Sequence, residues 1–420
     1  MSCLRRRTCA LLLGWGCLMA SPPAAARESM GTPAAKAAFD RGETAAKAGK
    51  LLEAIAAFRK AIDADPDFVD AHQRFIETTQ RQEDPASRTP AAERLRQLYE
   101  GWAHLYPKRA AYQWALGFLS QEADKADEYF RKALEIDATF ARAHFLLARN
   151  ADQRGDWVAQ RRHLQAAVES NRDDPRYLLR YAVAHRKSDP ARFRELALQV
   201  VDRFPTSPYA AEALNNLAGE AANPERRAYF DRLRAFYPVD RYNYSASAMN
   251  DLYAELTSPA EALSLAQEMT KALPASRTWQ QRAAVQEAMT RAQTLLAAGQ
   301  FAEAFDVLDT AQRPSGNHGV TLTLLKAEAA AGAGRRDQAY ATLVESAAAV
   351  PDARVEEALL KYAADLGKAR PGVDADVWRL RDAKATVAAP FQLPSSRGGA
   401  PGQLSDYRGR LVLLAFWFPS

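Results

Sequence analysis

Apolar residues recur every three or four positions over most of this chain, with polar residues between them. The clearest window holds a small residue, an Ala-Phe-Ala series and a closing proline, at Gly42, Ala54, Phe58, Ala61 and Pro66. Residues at this spacing lie on one face of an α-helix, so the window predicts two amphipathic helices that pack by these faces. Gly49 and Lys50 supply the turn between the two helices.

This spacing resembles that of the tetratricopeptide repeat, a unit of two helices and about 34 residues. In that family a small residue lies where the first helix crosses the second, and Gly42 takes this position. Glycine and alanine allow two helices to approach closely, while Phe58 would fill the gap between neighbouring units. Looser units recur with Leu116, Gly117, Ala126, Phe130 and Ala133; with Gly155, Asp156, Trp157, Ala159 and Ala166; and with Ala304, Leu308 and Ala311, repeated thirty-five residues later as Ala339, Leu343 and Ser346 before Pro351.

Proline-containing turns continue this rhythm through the middle of the chain, at Asp189-Pro190, Phe204-Pro205, Asn223-Pro224, Tyr237-Pro238 and Ser258-Pro259. At about 34 residues per unit, residues 32–384 would hold roughly ten helical pairs. The resemblance implies an all-α fold, a tetratricopeptide-like α-solenoid over residues 27–385, as one array and not several compact domains. Such arrays hold other polypeptides, so we expect protein partners on the concave face.

The last part of the chain, residues 386–420, has a different pattern. Residues 389–394 read Ala-Pro-Phe-Gln-Leu-Pro, residues 404–409 read Leu-Ser-Asp-Tyr-Arg-Gly, and an apolar run suited to a buried β-strand follows them. This order resembles the beginning of a thioredoxin-like redoxin domain of the TlpA-like or AhpC/TSA type. We therefore expect the first strand region of an incomplete α/β thioredoxin-like domain. The alternative is a core strand of some other α/β domain.

In redoxins a C-x-x-C motif follows this strand, and here its first cysteine would fall after Ser420. The cysteines of the chain are Cys3, Cys9 and Cys17, all close to its beginning. A thiolate is the nucleophile of thiol–disulfide exchange. The resemblance thus implies a thiol:disulfide oxidoreductase or thiol peroxidase, present here as a fragment that lacks the redox cysteines.

The beginning of the chain predicts export. Arg5, Arg6 and Arg7 precede an apolar stretch, and small residues follow it up to Ala26. This is the arrangement of a secretory signal peptide, which we place at residues 1–26, and it implies a periplasmic or extracellular protein. The apolar stretch is too short for a transmembrane helix, so no membrane span is expected after cleavage. A permanent single-span anchor and lipidation at Cys17 are the weaker alternatives.

Few residues form a pattern that predicts chemistry. The histidines are scattered without paired spacing, at His72, His104, His144, His163, His185 and His318. The sequence contains no H-E-x-x-H, G-x-x-x-x-G-K-[ST], G-x-G-x-x-G or G-x-S-x-G motif. We therefore predict no catalytic, cofactor-binding or metal-binding residues and no cofactor. We interpret the histidines as surface residues or as hydrogen-bonded core residues.

Aromatic and arginine residues are densest between positions 229 and 253. The set comprises Tyr229, Phe230, Phe236, Tyr237, Tyr242, Tyr244 and Tyr253, with Arg232, Arg234 and Arg241 among them. Both residue types are favoured in binding hot spots, so a binding patch is one reading. Packing between repeats is the simpler one, because periodic aromatic residues in helices usually face a core.

The charge balance points away from nucleic acid. The chain has 56 lysines and arginines against 51 acidic residues; without the three arginines of the predicted signal, 53 remain against 51, a net charge of +2. The pairs Arg161-Arg162, Arg226-Arg227 and Arg335-Arg336 lie on separate predicted helices, so they are expected to be solvated faces. Two function classes remain: an exported redoxin with a protein-binding tetratricopeptide platform, or a non-catalytic exported tetratricopeptide scaffold.

Overall fold

The computed structural model describes residues 31–82, 89–386, 389–393 and 402–410. The predicted signal peptide at residues 1–26, the three cysteines and the predicted strand at residues 411–416 lie outside the described residues.

Twenty α-helices occupy residues 33–384 of the described chain, which agrees with the expectation of roughly ten helical pairs. The first ten are α1 (Pro33–Lys47), α2 (Leu51–Ala64), α3 (Val69–Arg81), α4 (Ala91–Leu105), α5 (Ala110–Leu119), α6 (Ala123–Ile136), α7 (Ala141–Gln153), α8 (Trp157–Ser170), α9 (Pro175–Val183) and α10 (Pro190–Arg203). The second ten are α11 (Pro208–Glu220), α12 (Glu225–Phe236), α13 (Asn243–Glu255), α14 (Pro259–Ala272), α15 (Arg277–Ala297), α16 (Phe301–Asp309), α17 (Gly316–Gly332), α18 (Arg336–Ala349), α19 (Ala353–Asp365) and α20 (Arg370–Lys384). The all-α prediction is therefore confirmed for this region.

The predicted turns begin and end helices as their residue types require. Asp189 precedes Pro190, the first residue of α10, and its carboxylate accepts a hydrogen bond from the Arg192 amide at 3.0 Å. Ser258 likewise precedes Pro259, the first residue of α14, and its hydroxyl oxygen accepts a hydrogen bond from the Glu261 amide. A side-chain oxygen at this position satisfies an amide that has no partner inside the helix, and proline at the first position loses no hydrogen bond.

The helices form two compact units, and the boundary between them lies between Ala248 and Met249, inside α13. The single array expected from the sequence stays a prediction.

The first unit is built on the interlocking of glycine and phenylalanine that the repeat pattern predicts. A Cβ atom at Gly42 would lie 2.5 Å from the Phe58 ring, and one at Gly117 would lie 2.5 Å from the Phe130 ring. Both rings are buried. Each glycine therefore lets its helix approach the aromatic ring of the following helix more closely than any other residue would allow.

Two later repeats each bury an alanine and a leucine that the pattern predicts. Ala304 and Leu308 are buried in α16, and Ala339 and Leu343 are buried at the equivalent places of α18. The helix α8 departs from the predicted pattern in its details. Its buried residues are Leu164 and Ala167, whereas the predicted Ala159 and Ala166 are half-buried.

Polar side chains tie together helices that are not neighbours in the repeat order. Arg142 of α7 donates a hydrogen bond to the Gln73 side chain of α3 at 2.7 Å and forms an ion pair with Asp70, and so reaches past the third helical pair. In the second unit His318 of α17 donates through Nε2 to the Tyr253 carbonyl of α13 at 2.7 Å. Each tie connects helices two pairs apart.

Past α20, the described residues contain two very short strands. Gln392–Leu393 (β1) pairs antiparallel with Gly402–Gln403 (β2), and a 3₁₀ turn at Leu404–Tyr407 follows. Gly409, whose φ is 77°, lies two residues after this element. Two strands of two residues do not define a thioredoxin-like sheet.

No helix in the described parts of the chain is both long enough and apolar enough to cross a membrane.

Candidate binding groove

A groove lies in the first unit between α7, α8 and α9, beside the turns that follow α7 and α9. Its volume is about 940 Å³, which is at the upper end of the range typical of ligand sites. We call it the α7–α9 groove. The residues that line it are Phe145, Ala148, Arg149, Asp152, Gly155, Asp156, Trp157, Val158, Gln160, Arg161, Leu164, Arg180, Val183, Ala184, Arg186, Lys187 and Ser188.

The apolar edge of the groove is formed by the first two residues of α8. Trp157 is 55% exposed and Val158 is 72% exposed. Trp157 lies seven residues before the buried Leu164, and this spacing places the two side chains on the same face of the helix. The apolar face of α8 therefore continues out of the core and into the groove.

The turn before α8 fixes the position of this edge. Gly155 has a φ of 72°, a conformation that glycine adopts without strain. The Asp156 carboxylate then accepts a hydrogen bond from the Ala159 amide at 2.9 Å and caps the helix. An exposed tryptophan thus stands on a well-defined helix start and not on an irregular loop.

Cationic side chains surround the groove, and they fall into two sets. Arg180 donates to the Glu212 carboxylate at 2.7 Å and Arg186 donates to Glu220 at 3.1 Å, so neighbouring carboxylates already balance these two charges. A second set, Arg149, Arg161 and Lys187, has no hydrogen bond or ion pair from its side chains to any part of the chain that the structure describes.

Asp152 and Asp156, the acidic residues of the groove, offset only part of this second set, because three cations stand against two carboxylates. The Asp152 carboxylate accepts a hydrogen bond from the Gln160 side chain at 2.9 Å. Asp156 is engaged at the start of α8. The groove therefore combines an exposed aromatic residue with an excess of positive charge.

The second unit contains a smaller cavity, of about 350 Å³, whose polar groups bind mainly one another. The Arg282 guanidinium lies 4.6 Å from the centre of the Tyr253 ring and 4.3 Å from that of Trp279, and it donates to Asn250 at 2.6 Å. Burial lowers the pKa of Arg282. Gln286 donates to the Tyr253 hydroxyl at 2.8 Å. These contacts brace the helices against each other.

The histidines are partly as predicted. His72 is fully buried, and its two ring nitrogens lie 2.9 Å from the Tyr99 hydroxyl and 2.9 Å from the Pro66 carbonyl, which confirms a hydrogen-bonded core histidine. Burial lowers the pKa of His72 to about 4.

Two other histidines form a pair that the sequence analysis missed. The Nδ1 atoms of His144 in α7 and His163 in α8 lie 3.1 Å apart. Burial, and next the proximity of His144, lower the pKa of His163 to about 4. The absence of a regular spacing concealed the pair, because helix packing and not sequence distance brings the two rings together. Among the described residues, no cluster of three or more His, Cys, Asp or Glu side chains could hold a metal ion.

The aromatic stretch between residues 229 and 253 serves mainly for packing. Tyr229, Phe230, Tyr237 and Tyr253 are buried, which confirms the packing interpretation for these four residues. Phe236 is 71% exposed and does not take part in this packing.

The sequence signal that could have identified the α7–α9 groove is the Trp157-Val158 pair. These two large apolar residues begin α8, whereas the buried residues of that helix lie further along it.

Comparison with known proteins identifies the repeats. The tetratricopeptide repeat model matches residues 35–68 and 119–140. No curated protein matches the chain.

Solved structures of tetratricopeptide proteins are similar to parts of the chain. A thermophilic tetratricopeptide protein of Thermus thermophilus has 13% identity and a TM-score of 0.32, with 43% of this chain and 99% of that one covered. YrrB, described as a tetratricopeptide protein with an unusual peptide-binding site, has 15% identity and a TM-score of 0.27, with coverage of 42% and 89%. The P58(IPK) tetratricopeptide domain has 16% identity and a TM-score of 0.26, with coverage of 79% and 98%. Because these scores are low, the assignment rests on the family model: the chain contains tetratricopeptide repeats at residues 35–68 and 119–140.

Proposed function

We propose that this protein is a non-catalytic scaffold that binds other polypeptides, and that the α7–α9 groove is a binding site. The observation that carries the proposal is the exposure of Trp157 and Val158 at the edge of a 940 Å³ groove. Tryptophan is one of the residues most enriched where protein interfaces gain their binding energy. Tetratricopeptide arrays are built to present such surfaces.

A site-specific photo-crosslinker tests this proposal. Benzoylphenylalanine is placed at Val158 and, as a matched control, at Val350, which is 65% exposed and lies in the second unit. Both variants are irradiated in cells that express the chain, and the crosslinked polypeptides are identified by mass spectrometry. We expect adducts at residue 158 that are lost when Trp157 is replaced by alanine. Equal adducts at residues 158 and 350 would contradict the proposal.

A redoxin function is the second candidate. It is supported by the sequence of residues 389–394 and 404–409. Sequencing of the gene past the codon for Ser420 tests it, combined with an insulin-reduction assay of the encoded protein. A following C-x-x-C and thiol-dependent activity would support this candidate. A protein that starts at Arg27 and ends at Ser420 is the control, and it should give no activity above background because it has no cysteine.

We also propose that the protein is exported, on the pattern of residues 1–26. Cell fractionation followed by N-terminal sequencing tests this proposal. A mature protein that begins at Arg27 is expected in the exported fraction. Retention of Arg5 in a cytosolic product would contradict it.

A further inference from the structure

We infer that the segment bound in the α7–α9 groove is acidic and carries an apolar side chain between its carboxylates. This inference rests on the proposed protein-binding function and names the class of partner. Two observations on different residues carry it: the three unengaged cations around the groove and the exposed apolar edge.

The unengaged cations of the groove differ from the paired arginines in and around it. Arg74, Arg142 and Arg180 each form an ion pair with a carboxylate of another helix, so their charges stabilise the packing of the repeats. Arg149 and Lys187 are exposed and have no such carboxylate in the described part of the chain. Their charges are therefore available to a ligand.

The third unengaged cation is Arg161, on α8, one turn after Trp157. Arg149 lies on α7 and Lys187 lies in the turn after α9. The three cations therefore come from three elements that converge on a single cavity. Carboxylates spaced along one extended segment can meet cations on all three elements.

The apolar edge sets the second requirement. Trp157 and Val158 leave apolar surface in contact with water next to the cations. Burial of apolar surface by a partner is favourable in proportion to the area covered. A purely acidic segment would leave this surface uncovered, so an aliphatic or aromatic side chain is needed between the acidic ones.

Fluorescence anisotropy of labelled peptides tests the inference. The probe is a short peptide in which glutamate and leucine alternate; a second peptide has lysine for glutamate, and a third has serine for leucine. We expect the glutamate-leucine peptide to bind best and to bind more weakly as salt is added, because screening weakens exposed charge pairs. A single-stranded oligonucleotide serves as the non-protein polyanion.

Matched variants locate the binding. Lys187→Glu should weaken binding about fivefold, since it replaces an attraction at the surface by a repulsion. Lys108→Glu changes the same charge at an exposed position away from the groove and should leave the dissociation constant within about twofold. Trp157→Ala should weaken binding about tenfold. Trp378→Ala, at a tryptophan that is 58% exposed on α20, is the control.

The outcomes distinguish failure of the acidic-partner inference from failure of the proposed scaffold function. Adducts at Val158 together with equal binding of the lysine and glutamate peptides would overturn the acidic partner and leave the scaffold standing. No adducts and no peptide binding would overturn both. Tighter binding of the oligonucleotide, or self-association of the chain that Trp157→Ala abolishes, would assign the groove to nucleic acid or to a second copy and overturn this inference. An unchanged thermal unfolding curve for Trp157→Ala shows that the variant is folded.

Discussion

Replacement of Gly42 by alanine should destabilise the first helical pair, while the same replacement at Gly101 should stabilise its helix. A Cβ atom at residue 42 would lie 2.5 Å from one ring carbon of Phe58 and 2.6 Å from the next. The Phe58 ring is fully buried and packs against Phe39 at 5.5 Å between ring centres, so it cannot move aside freely. Gly101 is exposed in α4, and a Cβ atom there would meet no heavy atom within 4 Å.

The magnitudes follow from two opposing effects. Alanine is better than glycine in a helix interior by about 1 kcal/mol, and this gain applies at both positions. Overpacking of a close-packed core costs about 1–3 kcal/mol, and a contact of 2.5 Å places Gly42 in the upper part of that range. We expect Gly42→Ala to lower the free energy of unfolding by about 1–2 kcal/mol, and Gly101→Ala to raise it by up to about 1 kcal/mol.

Hydrogen exchange measured by mass spectrometry is the suitable assay, because a chain of two units does not unfold in a single two-state step. Exchange of the α1 and α2 amides reports the local free energy of opening. The double variant with Phe58→Leu, which removes the ring, should recover part of the loss. If Gly42→Ala protects its helix as much as Gly101→Ala protects α4, the close approach of Gly42 to Phe58 does not govern the packing.

Three further predictions concern other sites. Because burial lowers the pKa of His72 from 6.5 to about 4, the unfolded chain binds a proton there that the folded chain does not, so stability should fall as the pH drops from about 6.5 to about 4. The loss attributable to His72 is at most about 3 kcal/mol, and His72→Gln should flatten the pH dependence of the opening free energy of α3 obtained from hydrogen exchange in this range. Phe130→Ala should cost about 3–5 kcal/mol in the same assay, since the ring is 1% exposed; a cost below about 1 kcal/mol would refute the packing described for Gly117. Asp156→Ala removes the cap of α8 and should cost about 1 kcal/mol, visible as faster amide exchange confined to the first turn of that helix.

The sequence predicted the helices and their interlocking well, because both depend on local pattern. Gly42 and Phe58 are sixteen residues apart and Gly117 and Phe130 are thirteen apart, each within one helical pair, and one pair is enough to bring them into contact. The residue types then indicate what each contact does: glycine allows the helices to approach closely, and the phenylalanine ring fills the space between them.

The remaining features depend on how helices are rotated against each other within a pair and on how pairs stack, and the spacing of apolar residues does not contain this information. His144 and His163 meet because α7 packs on α8 with a particular rotation about their axes. The α7–α9 groove is formed by residues from three helices. Arg180 and Arg186 are paired with carboxylates, whereas Arg149, among the described residues, is not, and this difference separates the unengaged cations from the paired ones. Pairing of this kind is visible only in three dimensions.

The ties that pass over an intervening helical pair bear on how each unit melts. A linear array whose members touch only adjacent members can lose its end members one at a time, and its free energy is a sum over adjacent terms. Arg142 with Asp70, and His318 with Tyr253, add terms between second neighbours. Opening of the fourth helical pair then also breaks a contact with the second helical pair. This raises the free energy of a boundary between folded and melted segments. Each unit should therefore melt over a narrower range than a nearest-neighbour array with the same number of helices.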